Sequence, residues 1–203
     1  MGIALNVSNH LEPLAKQLGL DFQASEKTAF SKCYIVTQTD GMNAWLKYRL
    51  AEQHGIAANI EFLKPNDLIG LLYTWVKGYH KPLMSIEMLQ WAIYSILDHP
   101  NTNKQFPSIA EYYLNQPVKQ MALATKLADL FDQYQMYRQD LLRAWEQSVV
   151  ANEDEAFQAY LWLSIHQKYE SALTDKSGAI QTIIEALSQS SHSEYIQSML
   201  KDV

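Results

Sequence analysis

Cys33-Tyr34-Ile35-Val36-Thr37-Gln38-Thr39-Asp40-Gly41-Met42 is the stretch that decides the fold. Its first five residues form a near-continuous apolar run rich in β-formers, the pattern of a strand covered on both faces. Polar residues then close the run, and Thr39-Asp40-Gly41 opens a helix that carries Met42, Trp45, Leu46 and Leu50 on one side. Upstream, Ile3-Ala4-Leu5-Asn6-Val7 reads as a first short strand. Ser8-Asn9 follows as a helix cap, then Leu11, Leu14, Ala15 and Leu18 at helical spacing. Downstream, Ala57-Ala58-Asn59-Ile60-Glu61-Phe62 reads as a third strand. Lys64-Pro65-Asn66-Asp67 starts the next helix, where proline is acceptable in the first turn. Strands alternating with helices at this spacing predict a small parallel sheet with right-handed crossovers.

The pattern changes near residue 80. Beyond it no strand is predicted, and helices are expected over 84–98, 108–115, 117–142, 153–173 and 177–200, with loops at Asn101-Thr102-Asn103 and Asp175-Lys176-Ser177-Gly178. The expected fold class is therefore α/β: a small parallel sheet with flanking helices over residues 1–80, then a mainly α-helical subdomain over 81–203. A three-stranded sheet is small, so the chain reads as the front part of something longer.

Composition bounds the chemistry. The 203 residues are 48% apolar and 19% charged, which suits a packed core rather than disorder. A net charge of −6 gives no global attraction for nucleic acid, so any such contact has to be local or completed by a partner. The single cysteine, Cys33, excludes an internal disulfide and fits a reducing, cytoplasmic setting. No signal peptide is expected, and no membrane span either, since the longest apolar run, Leu68–Val76, falls well short of the roughly 20 residues a span needs.

The motifs for catalysis are missing. A phosphate-binding loop needs glycines through which the backbone wraps phosphates, and a lysine that neutralises them. The first strand–helix junction is Asn6-Val7-Ser8-Asn9-His10-Leu11, and no two of the seven glycines have that loop's spacing. The six histidines are scattered, with no paired arrangement on a helix, and neither an acid-x-Lys nuclease triplet nor a Gly-x-Ser-x-Gly elbow occurs. No cofactor, metal or catalytic site is expected in this chain.

Two segments stand out as binding candidates. Gln38 and Thr39 sit at the carboxyl end of a strand, where open α/β sheets bind ligands. Thr39 could equally serve only as a helix cap. In the helix expected over 117–142, Leu123, Leu127, Leu130, Phe131, Tyr134, Tyr137 and Leu141 form an apolar stripe. Asp129 and Asp132 lie side by side on the opposite face, as a solvated pair or as acceptors for a base amino group. Arg138 falls inside the apolar arc. It reads either as an arginine with its stem laid on the core or as a guanidinium held on an aromatic shelf to meet a base or phosphate.

These strings, Gln38…Gly41-Met42…Trp45-Leu46, Gly55-Ile56-Ala57-Ala58-Asn59-Ile60…Phe62 and Ala128-Asp129-Leu130-Phe131-Asp132-Gln133-Tyr134…Tyr137-Arg138, resemble the N-terminal region of the RecC family, the gamma chains of exodeoxyribonuclease V. The resemblance runs from about residue 3 to 190. It implies an inactivated superfamily-1 helicase-like subdomain without a phosphate loop, followed by an inserted helical subdomain. It also implies a non-catalytic DNA-binding and scaffolding subunit in double-strand break repair. Its partners would be the 3′ single strand of DNA, a beta chain (helicase and nuclease) and an alpha chain (helicase). Gln38, Asp129, Leu130, Asp132 and Arg138 match family residues that line the DNA channel, and Lys176 falls where a channel arginine is expected. Asp40, Ala44, Lys64 and Gly70 depart from the family's residues, which implies that another hotspot sequence is read, or none. The competing expectation is a helical protein–protein interaction module without DNA binding, supported if Tyr112, Tyr113, Trp145 and Trp162 form a surface patch.

Overall fold

The computed structural model describes residues 4–24, 32–169 and 171–188, and helix takes up 71% of them. The chain divides into two compact units. Tyr79–Thr182 form one, and the residues up to Gly78, together with those from Ile183, form the other.

The first unit contains α1 (Leu11–Ala24), β1 (Cys33–Val36), α2 (Asp40–His54), β2 (Ile60–Leu63) and α3 (Pro65–Lys77). β1 and β2 pair in parallel, Cys33 opposite Ile60 through Val36 opposite Leu63. Backbone bonds from Cys33 N–H to the Asn59 carbonyl and from Thr37 N–H to the Leu63 carbonyl, both 2.9 Å, close the ladder. Ile35, Ala15, Leu46 and Leu50 form the buried core of this unit, with Met42, Trp45 and Phe62 packed around it. Tyr34, pointing the other way, meets Trp75 of α3 edge-on at 6.0 Å.

Three sequence expectations change here. Among the described residues the sheet has two strands, because Ala4–Val7 is not a strand, and Ile3 lies outside the described residues. Leu5 and Val7 are 85% and 81% exposed, and an apolar run too short to show a period carries no instruction to pair. The strand expected from Ala57 begins only at Ile60, since Asn59 takes a left-handed conformation (φ 55°) that interrupts extended backbone. β1 is covered less fully than predicted: Ile35 is buried and Val36 exposed.

The helix starts follow their local chemistry. The Thr39 hydroxyl accepts from Met42 N–H at 3.2 Å and caps α2, which ends on Gly55 in the left-handed region (φ 78°). Asp67 reaches back to accept from Lys64 N–H at 3.0 Å, ahead of Pro65 at the first position of α3.

The second unit is built from α4 (Ile86–Leu97), α5 (Pro100–Gln105), α6 (Pro107–Tyr113), α7 (Pro117–Tyr137), α8 (Gln139–Glu146) and α9 (Glu153–Tyr169), with the start of α10 (Lys176–Ser188). Its core is aromatic. Phe131 on α7 packs edge-on against Trp145 of α8 (6.4 Å) and Trp162 of α9 (5.7 Å), and Tyr134 meets Trp145 at 6.0 Å. Leu89, Ile93 and Leu97 of α4 complete it, all fully buried. The loop expected at Asn101–Asn103 is instead α5. Pro100 starts it, and the buried Thr102 hydroxyl donates to the Ile96 carbonyl at 2.7 Å. The helix expected over 117–142 is two helices with a break at Arg138. α10 starts at Lys176, inside the loop expected there, and the remainder of the helix predicted to 200 lies outside the described residues.

Candidate nucleic-acid interface

The structure distributes the sequence-predicted residues over both units. In the first, Gln38 is exposed just beyond β1 and Thr39 is engaged as the α2 cap. In the second, Asp129, Leu130 and Asp132 are half-buried on α7, Arg138 is exposed at the helix break, and Lys176 is buried at the start of α10.

Arg138 is where the structure departs most from the sequence pattern. Its backbone (φ −133°, ψ 45°) is non-helical, ending α7 and starting α8 at once. Arg138 N–H still donates to the Tyr134 carbonyl at 2.9 Å. Its own carbonyl accepts from Leu141 and Leu142 at 3.1 and 3.3 Å, so the backbone polar groups stay paired through the corner. The turn sends Leu142 and Trp145 into the core and Arg138 outward, beside Tyr137, which is 81% exposed. Neither lies on an apolar stripe as expected. The guanidinium Nε donates to Asp140 at 3.4 Å in a solvent-exposed pair.

Asp132 and Lys176 come together instead. Lys176 Nζ lies 2.5 Å from Asp132 Oδ1, and the Lys176 backbone N–H donates to Gln135 Oε1 at 2.8 Å. Lys176 is 5% exposed, so its ammonium is spent inside the fold, and the carboxylate predicted on a solvated face is half-buried holding it. The sequence pattern does not single out Gln135, which is fully buried. It also donates to the Phe131 carbonyl at 3.3 Å. Its signal was its position, since it continues the run Ala124, Leu127, Ala128, Phe131 that is actually buried on α7.

The aromatic patch required by the interaction-module expectation is not formed by its four residues. Trp145, Trp162 and Tyr113 are buried, and Tyr112 alone of them is exposed. These were large apolar side chains within helical patterns, and the core claimed them. Among the described residues no group of three or more His, Cys, Asp or Glu side chains could hold a metal ion, and no helix is long and apolar enough to cross a membrane.

Residues 3–199 match the family model described as RecC, N-terminal domain. The RecBCD enzyme subunit RecC of Escherichia coli is 32% identical over 143 residues, covering 64% of this chain and 12% of that protein. The same subunit of Haemophilus influenzae is 30% identical over 150 residues, covering 68% and 13%. The subunit of Mycolicibacterium smegmatis is 24% identical over 180 residues, covering 84% and 16%. The chain thus spans about an eighth of the length of the first two. With the family model matched along nearly its whole length, this chain belongs to the RecC N-terminal domain family.

Proposed function

We propose that this chain is the opening part of a non-catalytic RecC-type subunit, which scaffolds a RecBCD-type helicase–nuclease in the cytoplasm and guides the 3′ single strand during recombinational repair. In this reading residues 1–80 are an inactivated helicase-like subdomain and 81–203 a helical subdomain. The beta and alpha chains of the same complex are the protein partners. The observation that carries the reading is the family match over residues 3–199. The Tyr137–Arg138 corner supports the strand-guiding part. It offers an aromatic ring and a guanidinium together at the surface, the pair that stacks on bases and meets phosphates. Reading of a hotspot sequence would fall to Gln38, Asp129, Leu130 and Asp132, with Thr39 and Lys176 acting through the positions they hold.

The test uses the assembled three-chain complex. A photo-crosslinking residue at position 137, presented with a forked duplex, is expected to label the 3′ strand. Arg138→Ala is expected to weaken strand binding about tenfold, with a shallower salt dependence. An unwinding-competent complex that gives no crosslink and an unchanged salt slope would remove the strand-guiding role from this segment.

A further inference from the structure

A cleft of about 460 Å³ opens in the second unit between α8, α9 and the first turns of α10, and none of the site residues discussed above lines it. Ser177 and Gln181 lie one turn apart on α10, and Arg143 of α8 donates to Gln181 Oε1 at 2.8 Å, which holds the guanidinium over that face. The only bond this arginine makes among the described residues goes to a neutral amide, so its charge has no acidic partner there. Ser177 is 7% exposed, lines the cleft, and its hydroxyl has no hydrogen-bond partner among the described residues. The hydroxyl is not sealed in the interior, so a ligand in the cleft can reach it.

The cleft also contains two carboxylates, and both are engaged. Glu146 Oε1 accepts from the Trp162 indole at 3.2 Å. Asp175 Oδ1 accepts from Gly178 N–H at 2.8 Å, while its Oδ2 lies 3.7 Å from His166 Nε2. Lys81 contributes a second cation to the lining, and Met84 and Leu173 an apolar floor.

We propose that this cleft binds a phosphate group, with Arg143 and Ser177 as the residues that hold it. A lone phosphate fills only a small part of the volume, so the ligand is a phosphate ester whose remaining atoms lie on the apolar floor. The site stands on the cleft geometry and is independent of the strand-guiding role proposed above.

The experiment is titration of the chain with inorganic phosphate, with adenosine monophosphate and with an eight-residue oligothymidylate, at constant ionic strength. Heat of binding is the readout, and circular dichroism checks that each variant is folded. Arg143→Gln and Ser177→Ala are each expected to cost about tenfold in affinity. Phosphate and the mononucleotide binding alike assigns the site to the phosphate itself, and a tighter mononucleotide supports a small phosphate ester. Binding of the oligonucleotide alone, lost in both variants, makes a strand phosphodiester the source. Failure of all three ligands to bind, or binding that neither variant weakens, overturns the proposal.

Discussion

Removing the carboxylate of Asp132 tests what Lys176 is for. The Lys176 side chain is 6% exposed and that of Asp132 28%, with the charged atoms 2.5 Å apart. Breaking a buried ion pair from one side costs about 3–5 kcal/mol, because the remaining charge is stranded. Water reaches this pair from the Asp132 side, which places Asp132→Ala around the lower end of that range, about 2–4 kcal/mol. Lys176→Met keeps the apolar stem and leaves behind a carboxylate that can hydrate, so it is expected to cost about 1 kcal/mol. The double variant should cost little more than Lys176→Met alone, a coupling of about 2 kcal/mol.

Urea unfolding followed by tryptophan fluorescence measures these differences, since three of the five tryptophans lie in the second unit. With a slope of about 2 kcal/mol per molar urea, Asp132→Ala should lower the midpoint by about 1–2 M. Equal costs for the two single variants, or simple additivity in the double, would refute the reasoning. Lys176 would then be a surface cation free to meet a strand.

Burial of the Tyr113 phenol, with the nearby charge of Asp98 and Tyr160, pushes its pKa up from the usual 10. The folded state therefore resists phenolate formation. Stability from this group is intact below about pH 10 and falls as pH rises through the folded pKa, and Tyr113→Phe should flatten the fall in melting temperature between pH 9 and 11. The same variant should lose about 1 kcal/mol at neutral pH, because the hydroxyl's bonds to Asn103 Oδ1 (2.8 Å) and the Leu97 carbonyl (3.1 Å) go with it. Trp162→Phe should cost about 1 kcal/mol more than Trp145→Phe in urea unfolding. Both rings are buried, but the Trp162 indole N–H has a partner, Glu146, whereas that of Trp145 has none among the described residues. A Cβ at Gly19, inside α1, would meet the side-chain amide of Gln53. That flexible end can swing away, losing only a 3.4 Å bond to the Lys16 carbonyl, so Gly19→Ala should be neutral or raise stability by up to about 1 kcal/mol.

Local chemistry is legible in the sequence at β1 and at the starts of α2, α3 and α7, and not at α5 and α10, whose short caps lie in segments that read as loops. The apolar run at Cys33 gave β1. Thr39 gave the start of α2, and prolines 65 and 117 stand at helix starts where the sequence placed them. What stayed hidden depends on distant chain. Lys176 is paired with a residue 44 positions away, and no local pattern marks a lysine as interior. The Ile3–Val7 run had the composition of a strand, but pairing is decided by a neighbour that sequence alone does not name. The sequence pattern puts Tyr137 in the α7 stripe, whereas the buried set is rotated towards Ala124, Ala128 and Gln135. Aromatics bias such a count, because a tyrosine scores as apolar whether it faces the core or the solvent.

The break at Arg138 bears on how the family string around it can work. Had α7 continued to 142, Arg138 would lie on the same arc as Phe131 and Tyr134, with its stem on the core. The corner instead splits the string into two parts. Asp132 and Gln135 face inward and fasten α10, whereas Tyr137 and Arg138 face outward, the guanidinium in an exposed pair with Asp140. One oxygen of Asp132 is committed to Lys176, so an acceptor role toward a base is confined to the other, on a side chain only 28% exposed. In the proposed role, strand contact would fall to Tyr137 and Arg138, while Asp132 and Gln135 on the other side of the same turn give structural support. Arg138→Ala should therefore leave the unfolding free energy from urea titration within about 0.5 kcal/mol of the parent, because its exposed pair with Asp140 contributes little. A large loss of stability in that variant would mean that the corner itself holds the fold, and would leave its exposed side without an argument for strand contact.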